Sequence, residues 1–265
     1  MILASLALFL AQDAAAAAPA PQRTVAEDRL SVCLKHARTD PTSAIVEASS
    51  WSSEAGGADL SYPQQCLGLA FAMLLRWDAA ERAFLTARDA AGADDHFRRA
   101  QLATMAGNAA LAGERAVDAL GALELAANDA AASADDGLRS MVEVDRSRAL
   151  VMQGREADAE ATLASARTLD PQSPFAWLLS ATLARRLGKL DEAQGYVQTA
   201  AELSPDYPEV GLEAGVIAML AGRRETAEAS WRSVVELAPD SAEATSARAY
   251  LAQAAEIAAA EPAAP

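Results

Sequence analysis

The chain has 265 residues, of which 52% are hydrophobic but only 5% are aromatic. Alanine makes up much of the apolar content, and because alanine costs least to fix in a helix, this composition favours closely packed helices over a sheet. The net charge of −15 argues against a nucleic-acid binder, which needs a basic face for the phosphates. It also argues against electrostatic docking of the chain on an anionic membrane.

The N-terminal residues 1–20 are typical of an export signal. An apolar run over 2–11 has the length of the hydrophobic core of a signal peptide and is too short to span a bilayer. Small residues and prolines follow the run, although no Lys or Arg precedes it. We therefore predict a signal peptide with an Ala/Pro segment over 1–20, and a periplasmic or otherwise exported protein whose mature form has no membrane span. The alternative is a cytoplasmic protein with a buried N-terminal helix.

The C-terminal half of the chain contains a repeat of 34 residues. A glycine that can end a helix in the left-handed conformation recurs, as does an alanine that lets two helices cross closely. A proline, which cannot continue the preceding helix, opens each new unit. The unit is therefore predicted to be a pair of antiparallel helices joined by a tight turn. The three columns are Gly154, Gly188 and Gly222, then Ala159, Ala193 and Ala227, then Pro171, Pro205 and Pro239.

The units 140–173, 174–207 and 208–241 resemble tetratricopeptide repeats, and the first of them matches least well. The resemblance implies an all-α fold, which is an α-solenoid of stacked antiparallel helix pairs with a right-handed superhelical twist and a C-terminal capping helix. The packing residues that carry the resemblance in the middle unit are Trp177, Ala181, Gly188, Ala193, Val197, Ala200 and Pro205.

Extending the 34-residue frame in both directions divides the chain into segments. Two divergent units precede the clear ones, and the second of them has Ala116 in the alanine column. In chain order the predicted segments are the signal peptide and Ala/Pro segment at 1–20, a degenerate N-terminal helix pair at 21–60, two divergent units at 61–130, a loop at 131–139, three units at 140–241, a capping helix at 242–258 and a disordered tail at 259–265. The residues 128–137 are extra to the period, and we expect them to form either a longer loop or an extended helix end.

The sequence offers no motif for catalysis. His36 and His96 have no acidic neighbour at ligand spacing, and no zinc-protease, nucleophile-elbow, phosphate-loop or CxxC pattern is present. The paired aspartates at 94–95 and 135–136 are interpreted as helix caps, because the other oxygen ligands of a calcium loop are missing around them. We therefore predict that the protein is not an enzyme and takes no cofactor and no metal.

Cys33 and Cys66 are the only cysteines in the chain. In the repeat frame they lie one position apart on the first helices of adjacent units, which pack roughly 8–10 Å apart and could bring two side chains to disulfide geometry. An even count in an exported protein favours pairing. Two readings stay open, a disulfide and two buried thiols.

In the tetratricopeptide family the first helix of each pair lines a concave surface, and the resemblance implies a partner-binding groove here. Methionine side chains repack easily, which suits a surface that accepts variable apolar partners. The alternative is that these residues are core between neighbouring helices. The predicted groove residues are Met73, Met105, Met141, Val144, Arg148, Met152, Phe175, Leu178, Arg185, Leu212, Val216 and Met219.

The function that follows from the resemblance is protein–protein interaction. We predict a scaffold that binds a peptide or helix of a protein partner in an apolar groove, in cell-envelope assembly or maturation. Arginines at 98, 148, 185 and 186 would attract acidic flanks of that partner. The alternative is a structural subunit whose repeat faces are permanently covered by a constitutive partner or by a second copy in a homo-oligomer.

Overall fold

The computed structural model describes residues 24–260, and within that range every regular element is helical. The predicted signal peptide at 1–20 and the last five residues of the predicted tail lie outside the described residues. The helices are α1 Val25–Thr39, α2 Pro41–Glu54, α3 Ser61–Met73, α4 Trp77–Ala90, α5 His96–Ala112, α6 Ala116–Ser133, α7 Asp136–Met152, α8 Glu156–Leu169, α9 Pro174–Arg186, α10 Leu190–Leu203, α11 Pro208–Leu220, α12 Arg224–Leu237 and α13 Ala242–Ala260, with a single 3₁₀ turn at Gly57–Leu60.

The starts of α1, α2, α5, α7 and α9 are capped by side chains that accept hydrogen bonds from otherwise unpaired backbone N–H groups. Thr24 and Glu27 form a reciprocal capping box at the start of α1. Asp95 and Asp135, one from each aspartate pair, accept the backbone N–H of the third residue of α5 and of α7. The paired aspartates therefore act as helix caps in this structure.

The helices form hairpins that stack in chain order. The two helices of each hairpin pack against each other, and each hairpin packs against the next one. The hairpins are α3–α4, α5–α6, α7–α8, α9–α10 and α11–α12. The first helices α5, α7, α9, α11 and α13 contact one another in succession and form one continuous layer. The predicted all-α solenoid of stacked helix pairs is confirmed. No helix in residues 24–260 combines the length and apolarity needed to cross a membrane.

One alanine of each second helix lies where the two helices of a hairpin cross. This column is completely buried in all five hairpins, so a larger side chain would force the helices apart. In the second hairpin the buried residue is Ala119, and the predicted Ala116 lies three positions earlier and is only half-buried. The column is therefore Ala80, Ala119, Ala159, Ala193 and Ala227.

Of the two expectations for the residues that exceed the period, the loop over 131–139 is wrong, and the structure has an extended helix end instead. Helix α6 continues to Ser133 and α7 begins at Asp136, so only Ala134 and Asp135 separate them. The alanine-rich segment at the end of α6 has no glycine or proline to break the helix, and Ala134 reverses the chain in the left-handed conformation, with φ of 55°. The residues that exceed the 34-residue period are absorbed by longer helices, since α5, α6 and α7 have 17, 18 and 17 residues.

Candidate functional site: the concave helix layer

Two neighbouring cavities open on the layer formed by the first helices α5, α7 and α9. The larger has a volume of about 580 Å³ and lies between α7 and α9. The smaller, of about 400 Å³, extends from α5 to α9. Arg148 and Leu179 line both cavities, so the two form one groove with a shared wall.

The larger cavity contains the best-exposed apolar residues of the predicted groove. Met141 and Phe175 are 50% and 51% exposed, and Val144 and Leu178 form the floor beneath them. Phe175 also meets the ring of Tyr207 edge-on at 5.2 Å between centroids, which holds its side chain in place. The structure thus brings these four predicted residues together.

A polar bridge separates the two cavities. Arg148 Nη1 donates to Asp145 Oδ1 at 3.0 Å and to Asn108 Oδ1 at 3.2 Å, and Asn108 Nδ2 donates to Asp145 Oδ2 at 2.8 Å. The Asp145 charge is buried and is balanced by Arg148, whose side chain is half-exposed. A guanidinium has five N–H donors, and the donors of Arg148 other than Nη1 make no hydrogen bond within residues 24–260.

The smaller cavity is apolar on its floor and basic at its rim. Met152 lines it and is half-exposed, as the sequence predicted for a groove residue. Arg186 lies on its rim and has no hydrogen bond or ion pair to any other described residue. Because the charge of Arg148 is balanced by Asp145, Arg186 supplies the positive charge of this part of the groove.

The predicted residues on α3 and in the middle of α5 lie further along the stack. Met105 lines a third cavity of about 310 Å³ with Leu69 and Asn108, and Asn108 also lines the 400 Å³ cavity. The Gln65 amide lies 4.0 Å from the Met105 sulfur. Met73 is exposed at the end of α3, where it lines none of these cavities.

Residues of α11 that were predicted for the groove pack against the end of the stack instead. They are half-buried in a cluster with Trp231 and with Leu251 of the terminal helix α13. The residues concerned are Leu212, Val216 and Met219. Helix α13 packs beside α11, so these side chains fill the space between the two helices, whereas the two cavities described above reach only as far as α9.

Two of the predicted steering arginines are engaged inside the protein. Arg185 pairs with Glu213 at 2.7 Å, with both side chains largely buried. Arg98 donates to Ser61 and Gln65 and lies over the ring of Tyr62, and burial lowers the pKa of its guanidinium. Only Arg148 and Arg186 of the four predicted arginines face the cavities.

Sequence reasoning missed several residues that line this site, and Leu179 and Asp145 are two of them. Leu179 lines both cavities but immediately follows Leu178, the position that the repeat pattern selects. Asp145 likewise follows Val144. Each cavity lies between two helices, so the residue that directly follows a predicted groove position also lines it. Including that following residue on each first helix would have identified both Leu179 and Asp145.

The structure joins Cys33 of α1 to Cys66 of α3, with the two Cα atoms 6.0 Å apart and both residues fully buried. The described residues contain no group of three or more acidic, His or Cys side chains that could hold a metal ion.

The fold defines an α-solenoid of helix hairpins, a class in which stacked repeats present a long shared face. Within that class, residues 150–212 match the family model of the tetratricopeptide repeat. The chain is a protein of the tetratricopeptide-repeat fold, as the resemblance implied. No curated protein matches the sequence.

Similar folds are found among solved structures at low sequence identity. PilW, described as a widely conserved type IV pilus biogenesis factor, is 16% identical with a TM-score of 0.66, over 85% of this chain and 99% of PilW. PilF of Pseudomonas aeruginosa is 18% identical with a TM-score of 0.62, over 85% and 97%. A thermophilic tetratricopeptide-repeat protein of Thermus thermophilus is 20% identical with a TM-score of 0.57, over 73% and 98%.

Proposed function

We propose that the protein is an interaction scaffold that binds an apolar segment of a protein partner, as a peptide or a helix, in the groove of α5, α7 and α9. The observation that carries the proposal is the pair of apolar cavities with a shared wall at Arg148 and Leu179. A partner segment that places one apolar side chain in each cavity would bury Met141, Phe175 and Met152. The proposal includes no catalytic step.

The charge of the groove selects among apolar segments. Arg148 lies between the cavities with unused donors, and Arg186 has no partner among the described residues. A carboxylate between the two apolar anchors would accept hydrogen bonds from the free donors of Arg148, and charge-assisted hydrogen bonds of this kind are the stronger ones. We therefore expect the partner segment to be amphipathic, with an acidic side chain between its anchors.

We place this activity in the cell envelope. The support is the apolar N-terminal segment, which is typical of an export signal, and the paired cysteines, since disulfides persist in oxidising compartments. PilW, whose fold is similar, is described as a type IV pilus biogenesis factor.

The test compares two double variants in binding to partners captured from the envelope fraction. Met141→Ser with Phe175→Ser makes the larger cavity polar at two half-exposed residues. Val46→Ser with Leu237→Ser makes the same kind of change at exposed residues far from the groove. We expect the first variant to lose about 2 kcal/mol or more of binding free energy, and the control to bind as the wild type. Equal binding by both variants would contradict the proposal.

The alternative, a structural subunit with permanently covered faces, predicts a different result in the absence of a partner. Its apolar groove would be buried between copies, so the purified protein would be a stable oligomer. Light scattering after size-exclusion chromatography distinguishes the two. A monomer whose groove variant keeps the wild-type mass supports the scaffold, whereas an oligomer that Met141→Ser with Phe175→Ser dissociates supports the subunit.

A further inference from the structure

The turn between α3 and α4 differs from the other hairpin turns of the solenoid. We define the α3–α4 tip as Met73, Leu74, Leu75, Arg76 and Trp77. Its three apolar residues before the arginine are 46%, 38% and 69% exposed. In the later hairpins a glycine or a glutamate takes the place of Leu75 in the turn. These residues are Glu114, Gly154, Gly188 and Gly222.

Leu75 occupies a backbone conformation that leucine avoids. Its φ is +58°, in the left-handed region, where a side chain is crowded against the following carbonyl. The turn is nevertheless closed by two backbone hydrogen bonds, from Leu75 N to Ala72 O and from Arg76 N to Phe71 O, both 2.9 Å. A leucine in the left-handed conformation costs free energy that a glycine at the same position would not. We therefore infer that the exposed Leu75 side chain has a functional role.

Two arginines, Arg76 of the α3–α4 tip and Arg82 of α4, lie beside these apolar side chains, in a chain with a net charge of −15. Arg76 lies over the Phe71 ring at 4.8 Å, and neither Arg76 nor Arg82 has an ion pair within the described range. Both line a shallow polar depression beside Leu75. The carboxylate of Asp78 at the edge of this depression is taken by Arg115 at 2.9 Å.

We propose that the α3–α4 tip is a peripheral membrane anchor that inserts Leu74 and Leu75 into the interfacial region of a bilayer containing anionic phospholipid. Exposed leucines flanked by arginines and a tryptophan are the side chains that the headgroup boundary accommodates, because the apolar parts enter the acyl region while the cations stay with the phosphates.

A lipid surface fits the α3–α4 tip better than a protein partner does. A stable protein interface buries about 800 Å² on each side, and protein-binding sites for single anchors are concave. This tip is a convex turn with three exposed apolar side chains, enough for shallow insertion and too little for a protein interface. The acidic remainder of the chain opposes close approach to an anionic surface, so the contact is confined to the tip.

Co-sedimentation of the full chain with phosphatidylcholine vesicles, with and without phosphatidylglycerol, tests the proposal. We expect binding to the mixed vesicles that falls with added salt. Leu74→Glu with Leu75→Glu should weaken it at least about tenfold. Arg76→Gln with Arg82→Gln should weaken it about fivefold for each charge on the mixed vesicles, and have little effect on neutral ones.

Two controls separate insertion from charge and from misfolding. Leu187→Glu makes the same change at a half-exposed leucine in the α9–α10 turn, and it should leave vesicle binding unchanged. Leu75→Gly removes the side chain while relieving the backbone, so binding should fall although the thermal midpoint does not. The N-terminal residues 1–20 are identical in every variant. Absence of wild-type binding, equal binding by all variants, or an equal loss in Leu187→Glu would overturn the proposal.

Discussion

Glycine in the hairpin turns has a conformational role that neighbouring glycines do not share. Gly188 has φ of +74° and joins α9 to α10, whereas Gly195 lies within α10 with a helical backbone. A Cβ added at either position would meet no atom within 4 Å. The two positions therefore differ in backbone conformation and not in available space.

We predict that the same substitution has opposite effects at these two glycines. Gly188→Ala should lower the free energy of unfolding by about 1 kcal/mol, because alanine resists the left-handed conformation. Gly195→Ala should raise it by about 0.5–1 kcal/mol, because glycine is the poorer residue inside a helix. Thermal and urea unfolding followed by circular dichroism measure both. A loss at Gly195, or no loss at Gly188, would contradict the assignment of the turn.

At the scale of elements, basic residues at the start of second helices link neighbouring hairpins. Arg115 Nη1 contacts Glu81 of α4, Lys189 contacts Glu160 of α8, and Arg223 contacts Gln194 of α10. The hydrogen bond with Glu160 raises the pKa of Lys189. Each acceptor lies one position after the buried alanine of the preceding second helix. In the hairpin α5–α6 the equivalent position is Leu120, which cannot accept a hydrogen bond. Arg155, at the start of α8, therefore pairs with Asp158 of its own helix.

The pairs between hairpins should contribute to the free energy of unfolding only where the acceptor is buried. Arg115→Met keeps the apolar stem but leaves the buried carboxylate of Glu81 without its counter-charge, so it should cost about 1–3 kcal/mol of stability. Arg155→Met removes an exposed pair with Asp158 and should cost less than about 0.5 kcal/mol. Denaturant midpoints of the two variants provide the comparison. Similar losses of stability in the two variants would show that the Arg115–Glu81 pair contributes no more than an exposed ion pair.

The Cys33–Cys66 pair ties α1 to the first full hairpin of the stack. Closing a loop with a sequence separation of 33 should contribute roughly 3.5–4 kcal/mol by restricting the unfolded chain. Cys33→Ala with Cys66→Ala should therefore lower the unfolding midpoint, and the non-reduced wild type should have two hydrogens fewer by mass. Two thiols that are freely alkylated in unfolded, non-reduced protein from the native host would end this proposal.

At the scale of the whole molecule, the position of the mature N-terminus tests export. N-terminal sequencing of protein from the native host should start between about residues 13 and 22, where small residues follow the apolar run. The physical reason is that signal peptidase cleaves after small side chains at the end of such a run. An intact Met1 on protein from the soluble cytoplasmic fraction would falsify the periplasmic placement.

The sequence determined the architecture wherever the cause is local. The turn glycines, the crossing alanines and the opening prolines act within one unit, so their 34-residue interval was enough to predict helix pairs over 140–241 and the stacked fold. The capping helix predicted at 242–258 is likewise present, as α13 over Ala242–Ala260.

Only the tertiary structure decided the register of the middle hairpins and the extent of the groove. An alanine-rich helix can lengthen by one turn without a break, so Ala80, Ala119 and Ala159 lie 39 and 40 residues apart, and no local signal fixes where the extra residues go. Leu178 and Leu212 occupy the same place in the repeat, 34 residues apart, yet Leu178 lines the larger cavity whereas Leu212 packs with Leu251 of α13. Which side chains stay open, and which cysteines meet, depends on neighbours distant in sequence, and the packed stack alone supplies them.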